Sequence, residues 1–270
     1  MTNLLKKKQD GQKKDGIRII QEVLKDQSGL EYVGFKLIEM DQGAIYEERT
    51  GAAECCIVAV TGKLTVTEGE NSYQDIGTRK SVFEKKPTDS VYISNDRSFR
   101  IEAGTHATVA FCYSPSEKQL PTTLISADSV AVLQRGSGAN KRLVHDILPE
   151  TNPAANSLLV VEVYTESGNW SSYPPHKHDQ DNLPEESFLE ETYYHEMDPP
   201  QGFVFQRVYT DERDLDETMA VENQDVVVVP KGYHPVGVPA GYTSYYLNVM
   251  AGPKRVWEFH NDPAHEWMLK

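Results

Sequence analysis

The chain reads as an all-β protein, a sandwich or barrel of short strands with few short helices. Three observations predict this. Runs of β-branched and aromatic residues recur at regular intervals, and glycine, proline, asparagine and aspartate fall between them. Helical periodicity is weak outside roughly Ile17–Leu24.

Taken in order, the start carries Lys6-Lys7-Lys8 and Lys13-Lys14 among glycine and glutamine, which reads as a frayed, solubilising tail over residues 1–14. Cys55–Val60 and Lys63–Val66 flank Gly62 as two strands around a tight turn. Further strands are expected at Ser90–Ile93, Ala107–Tyr113, Leu158–Tyr164, Phe188–His195, Phe203–Tyr209, Val226–Val229 and Ser244–Met250. Ser114 to about Asn140, rich in serine, proline and glycine, is the natural connector.

The halves look like diverged copies. Asp89-Ser90-Val91-Tyr92-Ile93 followed by Ala103-Gly104 matches Asp225-Val226-Val227-Val228-Val229 followed by Ala240-Gly241, at an offset close to half the chain. Where the second copy has His234 the first has Ser98, and no His-x-His occurs before residue 176. The expected organisation is a tail at 1–14, a first unit with connector at 15–140, and a second unit at 141–270 that carries the chemistry.

A formal net charge of −14 argues against a nucleic-acid partner, because phosphate binding needs a positive stripe. A small anionic substrate is allowed if a metal or an arginine supplies local positive charge. Cys55, Cys56 and Cys112 form no Cys-x-x-Cys pair, and adjacent Cys55 and Cys56 point to opposite faces of a strand. Neither a signal peptide nor a membrane-length apolar run is visible, so the expectation is a cytoplasmic protein, monomeric or homodimeric, with no membrane partner.

Six of the eight histidines lie after residue 170. His176 and His178, spaced i, i+2 on an extended segment, project to the same side about 7 Å apart at their backbones, so both imidazoles can converge on one ion. In Phe188–His195, Leu189, Glu191, Tyr193 and His195 share one face, and Glu190, Thr192 and Tyr194 the other. Glu191 is therefore the preferred carboxylate, with Glu190 as the fallback. Together with His234, the expected metal ligands are His176, His178, Glu191 and His234. Such a set suits zinc or manganese, and iron or nickel as well. The acidic stretch Asp179–Glu186 reads as a solvated loop, and His260 and His265 as terminal packing and capping groups.

These residues resemble the cupin superfamily, whose motifs bring His-x-His and a glutamate from one strand pair and a histidine from another. Twelve residues separate His178 from Glu191, where the usual motif has only a few, and Pro230-Lys231-Gly232-Tyr233-His234 is one residue short of the common form. Longer stretches narrow the likeness: Asn169–Asp179, Leu189–His195, Gly202–Asp211, Val229–Val236, Tyr245–Pro253 and Arg135–Leu148 are similar to the 5-deoxy-glucuronate isomerase family of myo-inositol catabolism. That resemblance implies a bicupin of two jelly rolls, a divalent metal in the C-terminal one, and aldose-to-ketose isomerisation giving 5-dehydro-2-deoxy-D-gluconate through an enediolate.

Under that reading the proton-transfer residue is sought among His195, Lys231 and Tyr246, with Glu190 also considered. Arg207 and Arg142 are the cations for the substrate carboxylate, and Gln206, on the opposite face from Arg207, is a further pocket residue. The competing readings are an iron-dependent cupin dioxygenase, which the same ligands permit, and a non-catalytic sugar-binding bicupin.

Overall fold

Alternation along the strands sorts side chains among three cores. In the Ala53–Thr61 strand of the computed structural model, Cys55, Ile57 and Ala59 face one core while Cys56, Val58 and Val60 face another. Val226 and Val228 likewise turn away from Val227 and Val229. Strands covered on both sides need unbroken apolar runs, which is what these segments supply. The structure describes residues 4–24 and 28–269.

The first unit has a six-stranded sheet ordered Thr123–Ile125, Ser90–Ile93, Ala53–Thr61, Ala107–Pro115, Gly34–Met40, Ile17–Val23. Facing it are Ile45–Arg49, Ser98–Ala103, Leu64–Glu68 and Asn71–Ile76. The second unit has a seven-stranded sheet ordered Leu5–Lys6, Val226–Val229, Glu190–Asp198, Thr243–Ala251, Leu159–Thr165, Arg142–Leu148, Ala131–Arg135. Its facing sheet is Trp170–Ser171, Val236–Gly237, Phe203–Tyr209 and Asp216–Glu222. The two units are jelly rolls with matching strand order.

Register matches as well. Cys55 lies opposite Ile93 as Glu191 lies opposite Val229, and Cys56 opposite Cys112 as Thr192 opposite Val249. The repeat seen at Asp89 and Asp225 is thus a repeat of structure. The large sheets pack back to back through a shared core, where Phe35 stacks on Tyr194 with ring centroids 5.9 Å apart. Two carboxylates tie the units reciprocally. Glu54 accepts the backbone N–H groups of Asn156, Ser157 and Leu158, and Glu190 accepts those of Glu31, Tyr32 and Val33. The buried Arg79–Glu162 ion pair crosses the same junction.

Four expectations need correcting. From Leu4 onward the basic start is ordered: Leu4 is buried, Leu5–Lys6 pairs with Val226–Val227, and Lys7 bonds Glu222 and Asp225. The strand edge and two carboxylates hold it; residues 1–3 lie outside the described residues. Ile17–Val23 is a strand paired with Gly34–Met40, and a bulge between Ile19 and Gln21 shifts its phase, producing the helix-like spacing of Ile17, Ile20 and Val23. The connector contains Thr123–Ile125, paired to the first unit, and Ala131–Arg135, paired to Arg142–Leu148. The second sheet therefore takes in residues before the expected boundary at 141. Asp179–Glu186 is a short hairpin with Glu186–Phe188, and both Asp179 and Glu186 turn toward Lys177.

Candidate metal centre

The His-x-His arm is pinned by the residue between its histidines. Lys177 is buried, and its ammonium lies 3.0 Å from Asp179 Oδ1 and 3.0 Å from Asp211 Oδ2, on the side away from the imidazoles. Asp179 Oδ2 in turn accepts the Gly232 N–H at 2.9 Å, linking this arm to the turn before His234. Gly232 sits at φ +92°, and a β-carbon there would come within 2.5 Å of the Tyr209 carbonyl oxygen, so the turn requires glycine. His176–Lys177 pairs with His260–Asn261 near the C-terminus.

These supports bring His176, His178 and His234 together, each offering a ring nitrogen within 4.8 Å of the others. Glu191, on the inward face of Glu190–Asp198, reaches them: His178 Nε2 lies 2.8 Å from its Oε1 and His234 Nε2 lies 3.5 Å from its Oε2. The second ring nitrogens are committed. His178 Nδ1 donates to the Leu189 carbonyl at 2.9 Å and His234 Nδ1 to the Gly232 carbonyl at 2.8 Å. In the neutral rings, both Nε2 atoms then present lone pairs to a carboxylate, and both are buried without a hydrogen-bond partner. Two acceptors this close require a cation or a proton between them. The donor set fits a divalent first-row ion.

Electrostatics agree with that geometry. Burial alone would raise the Glu191 carboxyl, but its contacts with His234 and His178 and a hydrogen bond from Tyr193 hold it at about 2. Burial pushes His234 below its ordinary value, and His176 well below, the latter helped by its two histidine neighbours. For His178 the cost of burial is outweighed by Glu191, which lifts it. Asn248 Nδ2 donates to Glu191 Oε2 at 3.2 Å and fixes the carboxylate from the other side.

The cluster opens on a cavity of about 760 Å³. His176, Glu191, Tyr193, Tyr246, Asn248 and Ser172 line the polar end. Val144, Val161 and Val163 form an apolar wall, and Arg135 and Arg142 stand on the hairpin beyond it. Trp257, Phe259, Met268 and Leu269 close over it from the C-terminal segment.

Of the other expected site residues, Tyr246 and Arg142 line this cavity and five do not. His195 is fully buried behind Tyr193 and Tyr246, with Nε2 3.1 Å from Gln206 Oε1, and neither residue lines the cavity. Lys231 is on the surface, 2.9 Å from Asp214. Arg207 forks onto Asp216 with two 2.7 Å bonds and stacks over Tyr209, which occupies its guanidinium. Glu190, the fallback carboxylate, faces the other unit. Tyr193, on the inward face with Glu191, also lines the cavity, as do Asn248 and Arg135, which no motif marks. A lone asparagine in an apolar strand is the signal that would have found Asn248. Trp257 to Leu269 carry no local signal, because only the tertiary fold brings them to the cavity.

Fold and site together define a bicupin with one buried three-histidine, one-carboxylate cluster in its C-terminal barrel. The chain belongs to the KduI/IolB family, whose profile matches residues 4–268. It is 67% identical to a 5-deoxy-glucuronate isomerase of Bacillus velezensis and 66% identical to that of Bacillus subtilis strain 168, in each case over 270 residues and the full length of both chains. Its structure is similar to that of an IolB-like protein from Salmonella typhimurium LT2, with a TM-score of 0.94 and 47% identity, covering 99% of this chain and 100% of that one. A Lactobacillus farciminis oxalate decarboxylase–formate complex has a TM-score of 0.71 at 14% identity over 97% of this chain and 89% of its own, a likeness of fold alone. Among the described residues no helix is long and apolar enough to cross a membrane.

Proposed function

We propose that this chain is a cytoplasmic aldose–ketose isomerase that converts 5-deoxy-D-glucuronate to 5-dehydro-2-deoxy-D-gluconate in myo-inositol catabolism, with His176, His178, Glu191 and His234 holding zinc or manganese. The single observation that carries the metal assignment is the pair of buried Nε2 lone pairs turned on Glu191. The activity rests on end-to-end similarity to proteins bearing that name. When bound, a divalent ion supplies Lewis-acid stabilisation of the negative charge that builds on substrate oxygen as a proton leaves the neighbouring carbon.

The chain's own residues do the rest. The valine and aromatic walls hold the open-chain sugar with its aldehyde end at the histidines. Burial pushes the Tyr246 hydroxyl above its ordinary value, so at neutral pH it remains a proton donor, suited to hydrogen-bonding the oxygen that gains charge. Ser172 and Tyr193, with hydroxyls 3.3 Å apart, brace the cavity beside Glu191. His195 and Gln206 back Tyr246 as positioning residues.

The test is incubation of the purified metal-loaded protein with 5-deoxy-D-glucuronate in heavy water, followed by NMR. Ketone formation, with deuterium entering the former aldehyde carbon to the extent that the transferred proton exchanges with solvent, and without oxygen uptake, is the expected outcome. Absence of conversion with metal present, or oxygen consumption coupled to cleavage, would overturn the reading.

A further inference from the structure

Ten arginines serve a chain with 41 acidic residues. Seven of them, Arg18, Arg49, Arg79, Arg97, Arg100, Arg207 and Arg213, sit in ion pairs with carboxylates. Arg255 is occupied by backbone carbonyls, including those of Leu158, Pro149 and Asn152. Among the described residues Arg135 and Arg142 have neither a carboxylate within ion-pair distance nor a cage of backbone carbonyls like that of Arg255, and both line the cavity of the metal centre. Asp146 feels Arg135 through space but stays beyond pairing range.

Their placement is unfavourable unless an anion joins them. Arg135 and Arg142 are direct cross-strand partners in the hairpin that closes the second sheet. Like charges directly opposed on one pair of strands repel. Nothing in the hairpin neutralises them: Arg142 Nη1 donates only to the Asn140 carbonyl at 3.0 Å, and Arg135 lies over the Trp257 ring, 5.5 Å from its centroid. Gly136, at φ +74°, leaves room for the Arg142 guanidinium, which a β-carbon there would approach within 3.0 Å. Both side chains are half-buried, so each has lost part of its hydration without gaining a counter-ion.

We infer that Arg135 and Arg142 form a two-arginine clamp for the carboxylate end of the substrate, in the cavity onto which the histidine cluster opens. That two guanidiniums call for an anion follows from the arginines; that the anion is the carboxylate of a sugar acid rests on the function proposed above. The clamp also accounts for the wall between the two ends. Val144 follows Arg142 on the same inward face and is paired with Val163, so the carbon next to the bound carboxylate meets apolar side chains. A methylene fits there, and a hydroxyl would lose its hydrogen bonds. The clamp thereby reads both the charge and the missing hydroxyl of a 5-deoxy acid.

The experiment compares the wild type with Arg135→Met, Arg142→Met and the conservative Arg135→Lys and Arg142→Lys, each checked for wild-type metal content and thermal melting. Steady-state kinetics are measured on 5-deoxy-D-glucuronate and on 5-deoxy-D-glucose, the same sugar with an alcohol in place of the carboxylate. Loss of a charge-assisted, bidentate contact predicts that each methionine variant lowers kcat/KM for the acid on the order of 10–100-fold and leaves the neutral sugar unchanged. The lysine variants should fall between. Equal acid-over-neutral preference in wild type and methionine variants would overturn the clamp while leaving the isomerase reading standing. If the wild type turns over neither sugar, calorimetric binding of 5-deoxy-D-glucuronate against 5-deoxy-D-glucose decides: a preference for the acid that the methionine variants lose supports the clamp, and no preference in the wild type overturns it.

Discussion

At equivalent inward positions the two barrels carry opposite chemistry. Cys55, Ile57, Phe111 and Val109 in the first stand where Glu191, Tyr193, Asn248 and Tyr246 stand in the second, as the matching registers show. Phe111 is stacked among Tyr46, Phe99 and Tyr113, so the first interior is filled by close-packed side chains. The second exchanges that filling for a carboxylate, two tyrosines and an asparagine around open space. The backbone is common to both, and a handful of inward residues decides whether a barrel is a core or a reaction vessel. The junction between the units is a third region with its own rule, because Glu54 and Glu190 sit at equivalent positions and do equivalent work on opposite partners.

The largest effect should come from forcing the second barrel's chemistry on the first. Cys55 is fully buried in an apolar core, where burial already pushes its thiol up. Cys55→Glu places a carboxylate there with no histidine partner, and a loss of at least about 4 kcal/mol in denaturant unfolding is expected. A near-neutral result would mean that the first barrel is not filled as described.

Next come the junction carboxylates. Glu54→Ala and Glu190→Ala each strand three backbone N–H groups that had a charged acceptor, which predicts losses of about 2–4 kcal/mol with metal content unchanged. Chemical denaturation of both variants checks this. If Glu190→Ala alone lost the metal, the assignment of Glu191 as the carboxylate facing the histidines would be wrong.

A pH series sharpens the comparison at His195, whose counterpart in the first barrel is an alanine, Ala59. Burial lowers the His195 imidazole to about 4 from its ordinary 6.5. The unfolded chain therefore binds a proton that the folded chain refuses, so this group costs stability as pH falls from 6.5 and the loss is complete near 4. The span corresponds to about 3 kcal/mol. Denaturation midpoints measured across that window should decline more steeply in the wild type than in His195→Asn.

The smallest effects belong to Lys231→Ala and Arg207→Ala. Both side chains make exposed ion pairs, so stability should change by less than about 1 kcal/mol and isomerase activity by no more than about twofold. A large activity loss in either would return these residues to the site.

Much of this was legible before the fold was seen. Period-two alternation placed Glu191 and Tyr193 on one face and Glu190 on the other, and the i, i+2 spacing of His176 and His178 survives as convergence on one point. The offset between Asp89 and Asp225 foretold the repeat. Failures arose where the deciding partner was remote. Arg207 and Lys231 looked free because Asp216 and Asp214 lie across a turn, and His195 shared the correct face but lies two residues beyond Tyr193, behind the cavity floor. Lys7 looked unpartnered because Glu222 and Asp225 are more than 200 positions away. Arg135 gave no sign of function until it was the residue opposite Arg142 with no carboxylate beside it.

Elemental analysis of the purified protein tests most directly that one barrel holds the chemistry. One divalent ion per chain is expected in the wild type, with loss of most of it in His178→Ala and in Glu191→Ala and full retention in Glu190→Ala. Two ions per chain, or a full complement in His178→Ala, would contradict the account.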